Sequence, residues 1–124
     1  MKKRTSRKGA FTLVEIMIVV AIIGLLAAIA IPNFVKARTT AQKNACINNL
    51  RQIDGAVQEW ALEMKKNTTD TVALSDVTPY LKNSVVCPSG GTTISDSYIV
   101  STVANQPTCN KVGGTYPDGH ALPP

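Results

Sequence analysis

Few side chains of this chain can do chemistry. Cys46, Cys87 and Cys109 are its only cysteines, and His120 is its only histidine. Together they make a Cys3His donor set of the kind that holds zinc. Their spacings of 41, 22 and 11 residues match no compact zinc module, and no Cys-x-x-Cys pair occurs. The sequence therefore predicts no metal site. His120 reads as a surface residue in the turn-rich stretch Gly113-Gly114-Thr115-Tyr116-Pro117-Asp118-Gly119-His120. Cys87 and Cys109 read better as a disulfide bracketing a predicted hairpin. Such a bond would close a loop of about 20 residues, worth roughly 3 kcal/mol in the chain-entropy model. Cys46 then becomes a buried helical thiol. Pairing of Cys46 with either of the others, or three free thiols, are the alternatives. One histidine, scattered acids and no Gly-x-Ser-x-Gly element leave no nucleophile–base pair, and there is no phosphate loop. The chain is not expected to be an enzyme.

Glu15 is the other reactive group, and its surroundings make it unusual. It lies four residues into an apolar run from Phe11 to Ile31, and Ile16 to Ile31 carries no charge. As a helix these 21 residues span roughly 31 Å, against about 30 Å for a hydrocarbon core. A carboxylate placed centrally there costs on the order of 2.5–3.5 kcal/mol. Glu15 therefore either reaches the headgroups or meets a cation supplied by another chain. Ahead of the run stand Lys2, Lys3, Arg4, Arg7 and Lys8, which hold the N-terminus on the cytoplasmic side. These five account for the formal net charge of +5, because the other eight Lys and Arg are matched by eight Asp and Glu. A nucleic-acid footprint needs clustered positive charge on the folded domain, so DNA is not an expected partner.

Lys8-Gly9-Ala10-Phe11-Thr12-Leu13-Val14-Glu15, followed by the uninterrupted apolar stretch to about Phe34, resembles the processing site of type IV prepilins and type II secretion pseudopilins. The resemblance implies a structural filament subunit. A membrane peptidase would remove a basic leader and methylate the new amine, here on Phe11. The family has Gly directly before Phe, whereas Ala10 intervenes here. Cleavage after Gly9 or after Ala10 is therefore open. Spacing favours Ala10–Phe11, which makes Glu15 the fifth residue, Gly24 the fourteenth and Pro32 the twenty-second. The resemblance further implies that the Phe11 amine pairs with Glu15 of a neighbour, and that Gly24–Pro32 can lose helicity inside a filament. The implied partners are further copies and minor pilins, the prepilin peptidase, an inner-membrane assembly platform with its ATPase, and lipid before assembly. Cys87-Pro88-Ser89-Gly90-Gly91 resembles a segment of short competence pilins. Calcium, which related pseudopilins bind, has only Asp96 and Asp118 as nearby acids.

Beyond Pro32, Ala41, Ala45 or Cys46, Leu50, Ile53, Val57, Trp60 and Met64 recur at three- and four-residue steps, the pattern of an amphipathic helix. It should end near Lys66, before Asn67-Thr68-Thr69-Asp70. A short helix is expected from a Ser75-Asp76 cap with Val77, Tyr80 and Leu81. Thr92–Ile94 and Tyr98–Val103 read as strands joined by Ser95-Asp96-Ser97. The expected fold is α+β. Residues 1–10 are a leader and 11–31 a membrane-spanning, filament-core helix. Residues 32–66 form an amphipathic stalk helix, and 67–124 a head with a short helix and a small antiparallel sheet of two to four strands on the stalk. The head would lie outside the cytoplasm, first beside the inner membrane and then in a periplasmic or cell-surface filament. The competing readings are a monomeric binding module tethered by the same helix and a DNA-uptake competence pilin.

Overall fold

A computed structural model of the chain describes residues 9–114 and 119–124. The basic residues 2–8 and Asp118 lie outside them. The chain divides into two units, Met1–Ala37 and Arg38–Pro124. Helix α1 (Leu13–Glu63, 51 residues) contributes to both.

In the first unit the helix lies uncovered among the described residues. Phe11, Leu13, Met17, Leu25 and Phe34 are exposed, Phe11 by 84% and Phe34 by 70%. A helix this apolar in water needs another covering, and α1 is long and apolar enough to cross a membrane. The helix passes through Gly24 and Pro32 without a break. The expected loss of helicity concerned the filament; the isolated chain keeps the segment helical.

The second unit is built on the later turns of α1. Cys46, Ile47, Leu50, Ile53, Val57 and Trp60 are buried at steps of one, three and four, which lines one face. The apolar stripe is shorter than the sequence suggests. Ala41 is exposed and Met64 is 53% exposed, so the stripe opens at Cys46 and closes at Ala61. The helix stops at Glu63, three residues before the expected end. Lys65 turns the chain with φ +52°. Its N–H donates to Leu62 O at 3.4 Å, and that of Lys66 to Ala61 O at 2.8 Å. This is the paired closure of a Schellman motif with lysine where glycine is usual. The Lys66 ammonium then sits 5.6 Å from the Trp60 ring centroid.

The head covers the stripe with Val72, Val77, Val85, Cys87, Tyr98, Val103, Cys109 and Leu122. Helix α2 (Leu74–Val77) runs into a 3-10 turn, Thr78–Tyr80. It begins after Ala73 rather than at Ser75, because the Asp76 carboxylate reaches back to accept the Ala73 N–H at 3.2 Å. The first expected strand is replaced by α3 (Ile94–Ser97), one helical turn. Thr93 caps it, its Oγ1 accepting the Asp96 N–H at 3.2 Å. The sheet pairs β1 (Tyr98–Ile99) with β2 (Thr108–Cys109), antiparallel, Tyr98 opposite Cys109 and Ile99 opposite Thr108. The hairpin therefore spans 98–109 rather than 92–103. An isolated bridge, Thr71 to Thr102, adds one more pairing. The α+β class and the small antiparallel sheet stand as expected. Gln58 and Asn49 fasten the head to the helix by donating to Val103 O at 3.1 Å and Val86 O at 3.0 Å.

Candidate functional site

Two groups of residues carry chemistry. The first is the start of α1. Thr12 occupies the N-cap and Glu15 the third helical position. The Thr12 N–H donates to Glu15 Oε2 at 2.8 Å, and the Glu15 N–H donates to Thr12 Oγ1 at 3.3 Å. The Thr12 hydroxyl also donates to Oε2 at 3.0 Å. The two reciprocal bonds form a capping box, which satisfies two of the orphan donors at a helix start. The lone acid of the apolar run thus has partners of its own inside the chain. Gly9, Ala10 and Phe11 precede the helix and are exposed, so the peptide bonds on either side of Ala10 are accessible backbone outside any helix or strand.

The second group is buried in the head. Cys46 comes from α1, Cys87 from the turn before Gly91, Cys109 from β2 and His120 from the C-terminal segment. One ligand atom from each lies within 4.8 Å of the other three. Cys87 Sγ and Cys109 Sγ are 3.6 Å apart, and all three thiols are free. The separation is contact distance, well beyond the roughly 2.05 Å of a disulfide. This separation does not bear out the expected Cys87–Cys109 bond, although the two sulfurs adjoin. His120 is 9% exposed rather than on the surface, and its Nδ1 is buried without a hydrogen-bond partner among the described residues.

Local geometry places each thiol. Gly90 takes φ +117°, and the Gly91 N–H donates back to Cys87 O at 2.9 Å, closing a tight turn. The Cys87 N–H is held by Ser97 Oγ at 3.0 Å, and Ser97 in turn donates to Thr93 O at 2.6 Å. Burial, with Cys109 beside it, raises the Cys87 thiol pKa, opposed by the Ser89 amide directed at the sulfur. Burial and the neighbouring Cys109 push Cys46 up to about 12. Cys109 is also pushed up by burial, but the amides of Val112 and Lys111 and the Cys46 thiol outweigh this, and its pKa lies below the ordinary thiol value. Burial, together with the Lys43 charge, lowers that of His120. The Tyr98 hydroxyl accepts from Asn49 Nδ2 at 2.9 Å and lies beside the Cys46 thiol.

Residues 5–31 match the family model described as the prokaryotic N-terminal methylation motif. The competence protein ComGC of Bacillus subtilis is 35% identical over 85 residues, 68% of this chain and 85% of that protein. The chain belongs to the type IV pilin-like family. The type IV major pilin protein PilA of Myxococcus xanthus is 53% identical over 47 residues, 38% of this chain. The type II secretion system core protein G of Klebsiella pneumoniae is 29% identical over 91 residues, 68% of this chain. The pilin-like chain spans 21% of the Myxococcus protein and 63% of the Klebsiella protein. No solved structure matches it.

Within this pilin-like chain the motif residues Gly9, Ala10, Phe11 and Glu15 all sit at the matched N-terminus. Asp96, the described member of the acid pair considered for calcium, forms an ion pair with Lys111 and accepts the Thr92 N–H at 3.3 Å. Asp118 lies outside the described residues. Sequence reasoning missed two helix caps and one meeting of side chains. Thr12-x-x-Glu15 and Thr93-x-x-Asp96 are capping signatures readable from the residues alone. The meeting of His120 with the thiols has no such local signal.

Proposed function

We propose that this chain is a structural subunit of a type IV pilus-like or type II secretion pseudopilus filament, made as a precursor and polymerised through the first half of α1. The observation that carries the reading is the apolar surface from Phe11 through the first turns of α1 to Val35, exposed throughout except at Ala27 and interrupted by one acid near its start. Membrane lipid covers such a surface before assembly, and the same surface of other copies covers it afterwards. The peptidase cut falls between Ala10 and Phe11, and the new Phe11 amine is methylated. In the apolar interior of a filament that cation pairs with Glu15 of an adjacent copy. A buried charge without its partner is costly, so the pair selects register. The capping box is compatible with this, since its bonds to Thr12 use Oε2. The chain does no catalysis; the peptidase, an inner-membrane platform and its ATPase supply the chemistry and the work. The head faces away from the cytoplasm.

The extensive overlap with the competence protein favours a second reading, a filament that takes up DNA. The balanced charge after Phe11 gives the head no net positive charge to favour direct DNA binding. A head that binds DNA with steep salt dependence would decide for this reading.

Mass spectrometry of the mature N-terminus tests the processing step. A methylated Phe11 is expected, and a start at Ala10 rejects the assigned bond. Glu15→Ala is expected to leave membrane insertion intact and abolish most filament formation. Filaments of normal number and length from that variant would sink the pairing.

A further inference from the structure

The thiol and imidazole cluster is untouched by the filament reading, and it is the least expected feature of the head. We propose that Cys46, Cys87, Cys109 and His120 form a structural zinc site that staples the C-terminal segment and the β-hairpin to α1.

Geometry is the first support. Zinc takes thiolate sulfur at about 2.3 Å and imidazole nitrogen at about 2.0–2.1 Å in a tetrahedron. Those lengths fix the edges of the donor tetrahedron at about 3.8 Å between sulfurs and about 3.5 Å between sulfur and nitrogen. The Cys87–Cys109 separation is 3.6 Å, and the whole donor set lies within 4.8 Å. Side-chain adjustments of a few tenths of an ångström to about 1 Å close it around a metal. Three thiolates and one imidazole are a soft, nitrogen–sulfur set that selects zinc over calcium or magnesium. Four protein donors also leave no open position, which is the arrangement of a structural rather than a catalytic zinc.

The orphan nitrogen is the second. A buried imidazole Nδ1 with no partner among the described residues forfeits a hydrogen bond that water would supply. A Cys87–Cys109 disulfide would leave that ring and the Cys46 thiol unused beside it. A metal uses all four groups at once.

The third support lies in what surrounds the donors. Backbone amides of Ser89, Lys111 and Val112 lie beside the Cys87 and Cys109 sulfurs, and the Tyr98 hydroxyl, which accepts from Asn49 at 2.9 Å, lies beside Cys46. Donors of this kind orient thiolate ligands and spread their charge. A three-thiolate zinc centre carries one net negative charge, and Lys43 lies near enough to act on His120. The long spacings that argue against zinc in the sequence are explained by the fold. The ligands come from one long helix, one turn, one strand and one terminal segment, so no two share a knuckle. For a head this small, a metal staple replaces core that the chain is too short to build.

The test uses the full processed chain, extracted from membranes in detergent. Metal content by mass spectrometry and the state of each thiol by non-reducing peptide mapping are measured on the same sample. About one zinc per chain and three unlinked thiols are expected. Chelation should lower the melting temperature of the head, and added zinc should restore it. Exchange with cobalt should produce a thiolate-to-metal charge-transfer band and the visible bands of a tetrahedral ion. His120→Ala and Cys46→Ser should each weaken zinc retention at least tenfold in competition with a chelator. A Cys87–Cys109 disulfide in the chain as isolated overturns the proposal, whatever that chain binds after reduction. Absence of zinc from wild-type protein overturns it without recourse to a variant. So does zinc that survives both substitutions, since the metal would then sit elsewhere.

Discussion

Gly91 shows how tightly single residues hold the head. A Cβ there would lie 2.0 Å from Ser97 Oγ and 2.8 Å from Cys87 N. Ser97 is fully buried and holds both the Cys87 amide and the Thr93 carbonyl, so it cannot swing aside freely. Gly91→Ala is therefore expected to destabilise the head by about 1–3 kcal/mol, as overpacking does. Chemical denaturation of the full chain in detergent checks this, and a loss below a few tenths would show that the turn relaxes. Asp96 gives a prediction about acid. Its hydrogen-bonded ion pair with Lys111 holds its pKa below the usual carboxylate value, aided by the Thr92 amide. A depressed folded pKa contributes stability above the unfolded value, and that contribution disappears as pH falls through the folded one. Asp96→Asn should therefore lower the melting temperature at neutral pH and flatten its decline below about pH 4. Parallel melting curves of variant and wild type across that range provide the measurement.

At the scale of elements, the end of α1 carries avoidable strain. Lys65 adopts a left-handed conformation that costs a side-chain-bearing residue roughly 1–2 kcal/mol. Glycine removes that cost, though it frees the unfolded chain by about 0.4–1 kcal/mol. Lys65→Gly should then stabilise the unit by about 0.5–1 kcal/mol, read as a rise in melting temperature of about 2–5 °C. A fall would mean that the lysine side chain has a role beyond the turn. Elements also mark how far the sequence is legible. The helix was readable because burial recurs at three- and four-residue steps from Cys46 to Trp60. Its N-terminal motif was readable because Gly9 to Glu15 is local. Thr92–Ile94 was misread because β-branched residues favour strands in general, whereas here the Thr93 hydroxyl captures the Asp96 amide and winds one turn of helix. The strand pairing moved as a result, to Tyr98 with Cys109. The thiol and imidazole donor set could be named from the sequence, but that its members meet could not be read there. Its members are brought together by packing against α1, and nothing at spacings of 41, 22 and 11 residues announces that.

For the whole molecule, the decisive question is whether Glu15 serves its own helix or the next copy. Both uses are physically sound. The capping box holds Glu15 to Thr12 within one chain, and the proposed filament pairs it with the Phe11 amine of another. Loss of filaments in Glu15→Ala cannot separate the two, because a frayed helix start would also fail to assemble. Two further experiments can. Thr12→Val removes the hydroxyl bonds and is expected to weaken the helix start by about 1 kcal/mol, yet leaves the carboxylate for a neighbour. Filament number should stay within about twofold of wild type if pairing between copies dominates. Co-expression of Glu15→Ala with wild type is the sharper measurement. A variant copy keeps its Phe11 amine, so it can join a wild-type neighbour, but it offers no carboxylate to the copy that follows. Each variant incorporated then interrupts growth, and mean filament length should fall steadily as the variant's share rises. If Glu15 only capped its own helix, defective copies would be excluded, and the wild-type copies would build filaments of unchanged length in smaller number.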